Sequence, residues 1–568
     1  MSSACPASRL PDELLSLVLD AIARDVRVSQ DRAILAIRIS HVCRFWRTVA
    51  FGPGGRMLWT HIPIWSGVDC ARAFIERSDP LPFTLNIDLG DTAWPPKVPA
   101  LAEAAQSMHR AGTIDLAELY DRDEPPSPEE AERDEQVYAI LRLHPAPLLT
   151  RFNVVFAHIL PPMDETPLLA PDMFGGDVPQ ALRILVISNR QIMPDSTFLR
   201  GSLTALVLRS CRIWDGIDEV LLTLSHLPGL EVLVLESETS TFCPDATESF
   251  ALLDNKRYIA LPRLKVLKIE DDDFAAPFLL LAYLRAPSTA RIHLTPGSSD
   301  FDWLIPADEG PELETRVAHD ITLLRLGLTT HFQAGSTELV APFRTIAIAE
   351  EKNNWKFTIH AVRDSGVIGN SIPDEFTLTY YAGAQTAAGR RRFAAVANAI
   401  LSLPAMSQAD FLIVSLNCLY GSGRSSDWLA LRDFLPQLRT IEVSRGAIHG
   451  VLSALHDSEF FPGLERLTFA GMHLEDNEQD AARAALYLVA LRNILCPRGR
   501  PPPRHLQTIS FDDCFGAKKL ARTLKRLSPD TMISLHCSPT VEDASEREAA
   551  WDDAEGDIDE MVDYLEYD

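Results

Sequence analysis

The chain has 568 residues, 46% hydrophobic and 23% charged, with a formal net charge of -26, and that charge argues against nucleic acid or an anionic membrane as a partner, since both require a basic surface. No run approaches the ~18 consecutive apolar residues of a membrane helix, and the N-terminus lacks the basic start and apolar stretch of a signal peptide. The nine cysteines include no CxxC pair, so reduced thiols in the cytoplasm or nucleus are expected.

Leu10-Pro11 precedes a first predicted helix, DELLSLVLDAI, in which Leu14, Leu15, Val18, Leu19 and Ile22 recur at helical spacing. Pro11 suits a helix start, and Asp12 and Glu13 complement the dipole of the first turn. The polar connector RDVRVSQDR leads to a second helix, ILAIRISHVCRFWRTVA. Its main stripe is Leu35, Ile39, Val42, Trp46 and Val49, while Ile34, Ile37 and Phe45 add apolar surface elsewhere. Gly52, Pro53, Gly54 and Gly55 end that helix, and MLWTHIPIW follows. A segment of about 50 residues cannot bury so much apolar surface alone. Helices apolar on more than one side call for a further partner surface, in the rest of the chain or on another protein.

LPDELL, then VCRFWRTVA, then LWTHI, in that order and spacing, resemble the F-box. The resemblance implies a three-helix module in residues 1–65 that binds a Skp-family adaptor and, through it, a cullin-based ubiquitin ligase. Carried over position by position, the implied adaptor-binding residues are Leu10, Pro11, Leu14, Leu15, Val18, Val42, Cys43, Trp46, Leu58 and Trp59. The glycine-rich FGPGGRM departs from the family, many of whose members have a short segment with a single proline there. Each of these side chains has an alternative role in the module's own small core. For Leu15 and Val49 both roles stay open; for Leu10, Pro11 and Trp46 the interface is favoured, because large aromatics often anchor interfaces.

Residues 66–146 read as a connecting region. ARAFIERSDPLPFTLNIDL suggests a helix and a strand, and AWPPKVP and DRDEPPSPEEAERDE, within residues 90–136, suggest a linker or extended excursion. From 147 to 540 a short pattern returns: proline, any residue, apolar, two of any kind, apolar, any, apolar. It appears as Pro228-Leu230-Leu233-Leu235, Pro262-Leu264-Leu267-Ile269, Pro436-Leu438-Ile441-Val443 and Pro462-Leu464-Leu467-Phe469. Leu203-Leu206-Leu208 and Leu506-Ile509-Phe511 lack the proline and run into Arg209-Ser210-Cys211 and Asp512-Asp513-Cys514. Each copy reads as a strand with alternate residues turned inward, entered through a proline that fixes the approach. Helical stretches such as EVLLTLSHL and PFLLLAYL lie between copies. One strand and one helix per unit resembles the irregular leucine-rich repeats of fungal F-box proteins. The expected fold is therefore α/β: the F-box, then an irregular leucine-rich-repeat-like solenoid with parallel strands. A mixed sheet with helices on one face is the alternative.

Residues 541–568 hold thirteen Asp or Glu against Arg547 alone, and such a block reads as a solvated, disordered tail. Trp551, Met561, Tyr564, Leu565 and Tyr567 supply the means for a short docking helix instead.

No GxSxG, HExxH, Walker-type loop or GxGxxG motif is present. YGSGRSSDW (420–428) reads as a surface turn, Glu270-Asp271-Asp272-Asp273 as a solvated loop, and Arg390-Arg391-Arg392 as a charged helix start. RGRPPPR (498–504) reads as a long connection, and His41, near Cys43, as helix packing. No catalytic, cofactor-binding or metal-binding residue is expected, and the chain is not expected to be an enzyme. The expected function is substrate recognition in a Skp-cullin-F-box ubiquitin ligase, with an unknown protein substrate held by the repeats. A Skp-binding scaffold that assembles no ligase is the alternative, and an enzyme with an unfamiliar site in 297–435 the third reading.

Overall fold

The computed structural model describes residues 10–25, 29–90, 95–118, 127–156, 169, 172–177, 179–211, 213–214, 216–237, 258–271, 275–296, 311–333, 342–350, 356–363, 375–381, 387–415, 431–444, 447–448, 451–452, 463–471, 491, 506–512, 514, 517–527 and 531–536. The acidic segment 541–568, the 420–428 and 498–504 motifs, Asp272, Asp273 and Pro462 lie outside them. The chain forms two compact units, the first holding the described residues up to Ser237 together with Leu261–Leu264, the second holding the rest.

The first unit begins with α1 (Asp12–Asp25), α2 (Ser29–His41), α3 (Arg44–Phe51) and a 3-10 turn at Pro53–Trp59. It continues through β1 (His61–Ile62), α4 (Val68–Ser78), β2 (Phe83–Asp88), α5 (Val98–Ala105), β3 (Ala111–Glu118), α6 (Pro128–Leu143) and β4 (Arg151–Phe156). β5 (Ile184–Ser188), β6 (Ala205–Arg209), α7 (Ile217–Ser225) and β7 (Val232–Ser237) complete it. Each strand from β1 to β7 pairs in parallel with the next. Register makes one apolar row of Leu85, Ile114, Phe152, Leu185, Leu206 and Leu233, and all six are fully buried. The neighbouring row, two residues on, is Ile87, Leu116, Val154, Ile187, Leu208 and Leu235, as the two-residue period of a strand requires.

The expected linker in 90–136 is corrected in its described parts. Residues 95–118 and 127–136 contribute α5, β3 and the start of α6, and β3 lies in register between β2 and β4. Pro99 sits in the first turn of α5, where a missing N–H costs nothing. Ile114 and Leu116 alternate inward, and Val137 and Leu141 anchor α6 despite its acidic start. The repeated arrangement therefore begins well before residue 147.

The second unit contains β8 (Ile259–Ala260), β9 (Val266–Asp271), α8 (Ala275–Tyr283), β10 (Leu284–Arg285), β11 (Arg291–Pro296) and α9 (Pro311–Gln333). Then come β12 (Thr345–Glu350), β13 (Lys356–Val362), β14 (Phe376–Tyr381), α10 (Ala387–Leu401), β15 (Phe411–Ser415), β16 (Thr440–Ser444), β17 (Arg466–Ala470), β18 (Thr508–Asp512), α11 (Ala517–Leu527) and β19 (Met532–His536). The main sheet runs β9, β11, β14, β13, β12, β15 and onward to β19, while β8 and β10 pair separately. Leu267, Ile292, Phe376, Ala361, Ile346, Leu412, Ile441, Leu467 and Ile509 form one fully buried row across it.

The all-parallel expectation fails at β13, which is antiparallel to both β12 and β14. Residues 351–355 are too short a connection for a parallel crossover, so β13 returns beside β12. The sheet is thus mostly parallel with one reversed strand. On its helical side α8 packs against α9 and α9 against α10. Gly327 permits the α8–α9 approach, since a Cβ there would lie 3.0 Å from the Ala282 backbone nitrogen.

A small device recurs at strand ends. The Cys211 thiol, two residues past β6, donates to the Ile187 carbonyl at 3.1 Å and the Arg209 carbonyl at 3.2 Å. The Cys514 thiol, two residues past β18, donates to the Phe469 carbonyl at 3.2 Å and the Asp512 carbonyl at 3.3 Å. In both cases the first acceptor is the register partner of the residue three before the cysteine. Asn189 and Ser210, the first residues after β5 and β6, share a left-handed backbone at φ 57° and 47°.

Candidate partner-docking face of the N-terminal module

Apolar residues lie on two sides of α1. Leu15 and Leu19 are fully buried against the module, whereas Leu14, Leu17 and Val18 are exposed. Positions 14, 17, 18 and 21 fall together on the helical period, their mean direction about a third of a turn from that of 15 and 19. Leu10 and Pro11, at the entry to the helix, are exposed too. Of the fifteen large apolar side chains exposed among the described residues, seven lie between Leu10 and Met57. Such a concentration on one small module exceeds the single scattered leucines that a protein surface ordinarily shows.

The ten residues carried over from the F-box resemblance divide between surface and interior. Leu10, Pro11, Leu14, Val18, Val42 and Cys43 are exposed, and Trp46 is half-buried. Leu15, Leu58 and Trp59 are core residues of the module. In the chain by itself these three side chains are covered by the module's own atoms. Sequence reading did not name Leu17, Phe51 and Met57, all exposed on the same module. Leu17 was legible as the i+3 neighbour of Leu14; nothing in the pattern distinguished Met57 from Leu58.

Local chemistry fixes the frame beneath this face. Cys43 caps α3, its sulfur accepting from the Trp46 backbone N–H at 3.5 Å. Trp59 Nε1–H donates to the Ala50 carbonyl at 2.7 Å, satisfying the end of α3 from the interior. The Trp59 ring meets Phe74 of α4 edge-on at 4.9 Å, and the Arg77 guanidinium stands 4.5 Å from its centre. Gly55 is required by close packing: a Cβ there would press into the Ala50 backbone, 2.6 Å from its Cα. An Arg32 guanidinium N–H donates to His61 Nε2 at 2.9 Å, tying α2 to β1. Burial, reinforced by Arg32, pushes the His61 imidazole down to about 3 and keeps it a neutral acceptor.

Elsewhere the described residues contain no group of three metal-ligating side chains, and no helix among them is long and apolar enough to cross a membrane. A cavity of about 170 Å³ in the second unit is lined by Leu328, Phe332, Phe343, Leu403 and Arg363 among others. Its one cation is already engaged, with Glu375 at 2.5 Å and the Ser288 carbonyl at 2.6 Å. His41 is exposed, not packed within the helices as expected. No protein-family model matches the chain, and no curated protein matches it.

Proposed function

We propose that this chain is the substrate receptor of a Skp-cullin-F-box ubiquitin ligase. The N-terminal module docks on a Skp-family adaptor through Leu10, Pro11, Leu14, Val18, Val42, Cys43 and Trp46, and the adaptor carries the cullin. The strand array holds a protein target. Ubiquitin transfer belongs to the partner enzymes, and this chain contributes proximity. Its place of action is then the cytoplasm or nucleus.

The observation that carries the reading is the exposed apolar side of α1, Leu14, Leu17 and Val18, opposite a side already buried. A helix apolar on two sides is stable in water when a second partner covers the outer one. The matching strand-end thiols of Cys211 and Cys514 support an irregular leucine-rich-repeat reading of the array, in which a cysteine or asparagine follows the strand.

The test is co-purification. Pro11→Ala combined with Trp46→Ala should abolish recovery of the Skp adaptor, because truncating a buried interface aromatic typically costs at least about 2 kcal/mol. Undiminished recovery overturns the proposal. Recovery of Skp with cullin from the parent chain supports a ligase; recovery of Skp alone identifies a scaffold instead.

A further inference from the structure

The last helix among the described residues, α11, is strongly two-sided. Along AKKLARTLKRL, Lys518, Lys519, Arg522, Lys525 and Arg526 fall within one arc of the helical period. Leu520, Ala521 and Leu524 are buried on the other side. The helix contains no carboxylate. Arg522, Lys525 and Arg526 are exposed, and none of the three makes a hydrogen bond or ion pair among the described residues. α11 packs on β19, which pairs with β18 along one edge and exposes Met532 and Leu535.

β19 ends at His536, and only residues 537–540 separate it from the acidic segment 541–568. We propose that segment 541–568 docks on the basic side of α11 in the same chain. Length permits it: an eleven-residue helix is about 16 Å long, and four extended residues already span up to ~14 Å. Charge favours it: the segment holds thirteen carboxylates and one arginine, and the helix sequence five cations and no carboxylate. Single exposed ion pairs are weak, but tethering sets an effective concentration on the order of millimolar, so many weak contacts suffice. Trp551 and Leu565 supply apolar groups that suit the exposed Met532 and Leu535. An acidic partner for this end of the array then has to displace the chain's own segment.

Carbodiimide cross-linking of the full-length chain tests this. The reagent activates a carboxylate as an O-acylisourea, which a touching lysine amine displaces to form an amide while the carbodiimide leaves as its urea. In an equal mixture of isotopically light and heavy chains, amides from Lys518, Lys519 or Lys525 to residues 541–568 are expected within one isotope class. They should fall at least tenfold in 1 M salt, where the Debye length is ~3 Å. They should fall equally in Arg522→Glu/Arg526→Glu, which leaves the lysine reporters in place and changes exposed side chains. Absence of such amides, mixed-isotope amides (a second copy as the occupant), or amides indifferent to both salt and charge reversal would each overturn the proposal.

Discussion

The Cys211 thiol donates to the Ile187 carbonyl one strand away, at 3.1 Å, and burial pushes that thiol up to about 12. Cys211 is therefore a protonated donor and a poor nucleophile at neutral pH. Cys514 makes the corresponding bond to Phe469 and is buried, whereas Cys43 is exposed at the start of α3. Alkylation of the native chain at pH 8 should label Cys43 and spare Cys211 and Cys514. Saturation with the Skp adaptor should then protect Cys43 by tenfold or more. Peptide mass spectrometry reads both outcomes; full labelling of Cys43 in the complex argues against contact at this residue.

The two sides of α1 separate docking from folding. Leu14→Asp combined with Val18→Asp changes exposed positions, so the urea midpoint should shift by no more than about 0.5 kcal/mol equivalent. Adaptor binding should nevertheless fall beyond detection. Leu15→Ala empties a fully buried site and should cost about 2–5 kcal/mol. Loss of stability in the first variant, with binding intact, would place the apolar side of α1 in the fold instead of the interface.

Within the second unit, Leu267 and Ile292 are register partners, as are Ile441 and Leu467. Leu267→Asp puts an unpaired charge into this row and should prevent cooperative folding of the unit. Lys265, exposed just before β9, should tolerate Ala within about half a kcal/mol. Guanidinium unfolding followed by circular dichroism distinguishes them, and a native midpoint for Leu267→Asp is the result that would sink the shared core.

His331 is fully buried, and among the described residues neither ring nitrogen has a hydrogen-bond partner. Burial, aided by the positive Arg363, pushes its imidazole down to about 4. The unfolded chain takes up this proton near pH 6.5, the folded one only near 4. Stability from this residue is thus complete above pH 6.5 and is lost as pH falls toward 4. Between pH 7 and pH 5 the loss is about 1–2 kcal/mol. His293, pushed down to about 3 by burial and then by His360, Lys268 and Arg291, acts in the same direction. His331→Leu should leave stability at pH 7 unchanged or higher, since two unpaired nitrogens disappear. It should shrink the pH 7-to-5 loss by about 1–2 kcal/mol, measured from urea midpoints. An unchanged pH slope would mean that His331 is not buried neutral.

Sequence alone determined the local alternation in these elements. Leu206 and Leu208, Leu233 and Leu235, and Ile441 and Val443 each announce a strand with one inward face, because the two-residue period is a property of the extended backbone. The helix pattern of α1 was legible through its own 3.6-residue period, including its excess of apolar surface. Tertiary structure decided which apolar residues are used up inside. Leu14 and Leu15 are adjacent and chemically identical, yet one is exposed and the other fully buried. The packing of α2, α3 and the Pro53–Trp59 turn against α1 distinguishes them. Strand direction was likewise beyond the pattern: Ile359 and Ala361 of β13 alternate like any other strand. Alternation is the same read forwards or backwards, so the short connection after β12 and the pairing to β14 made β13 antiparallel.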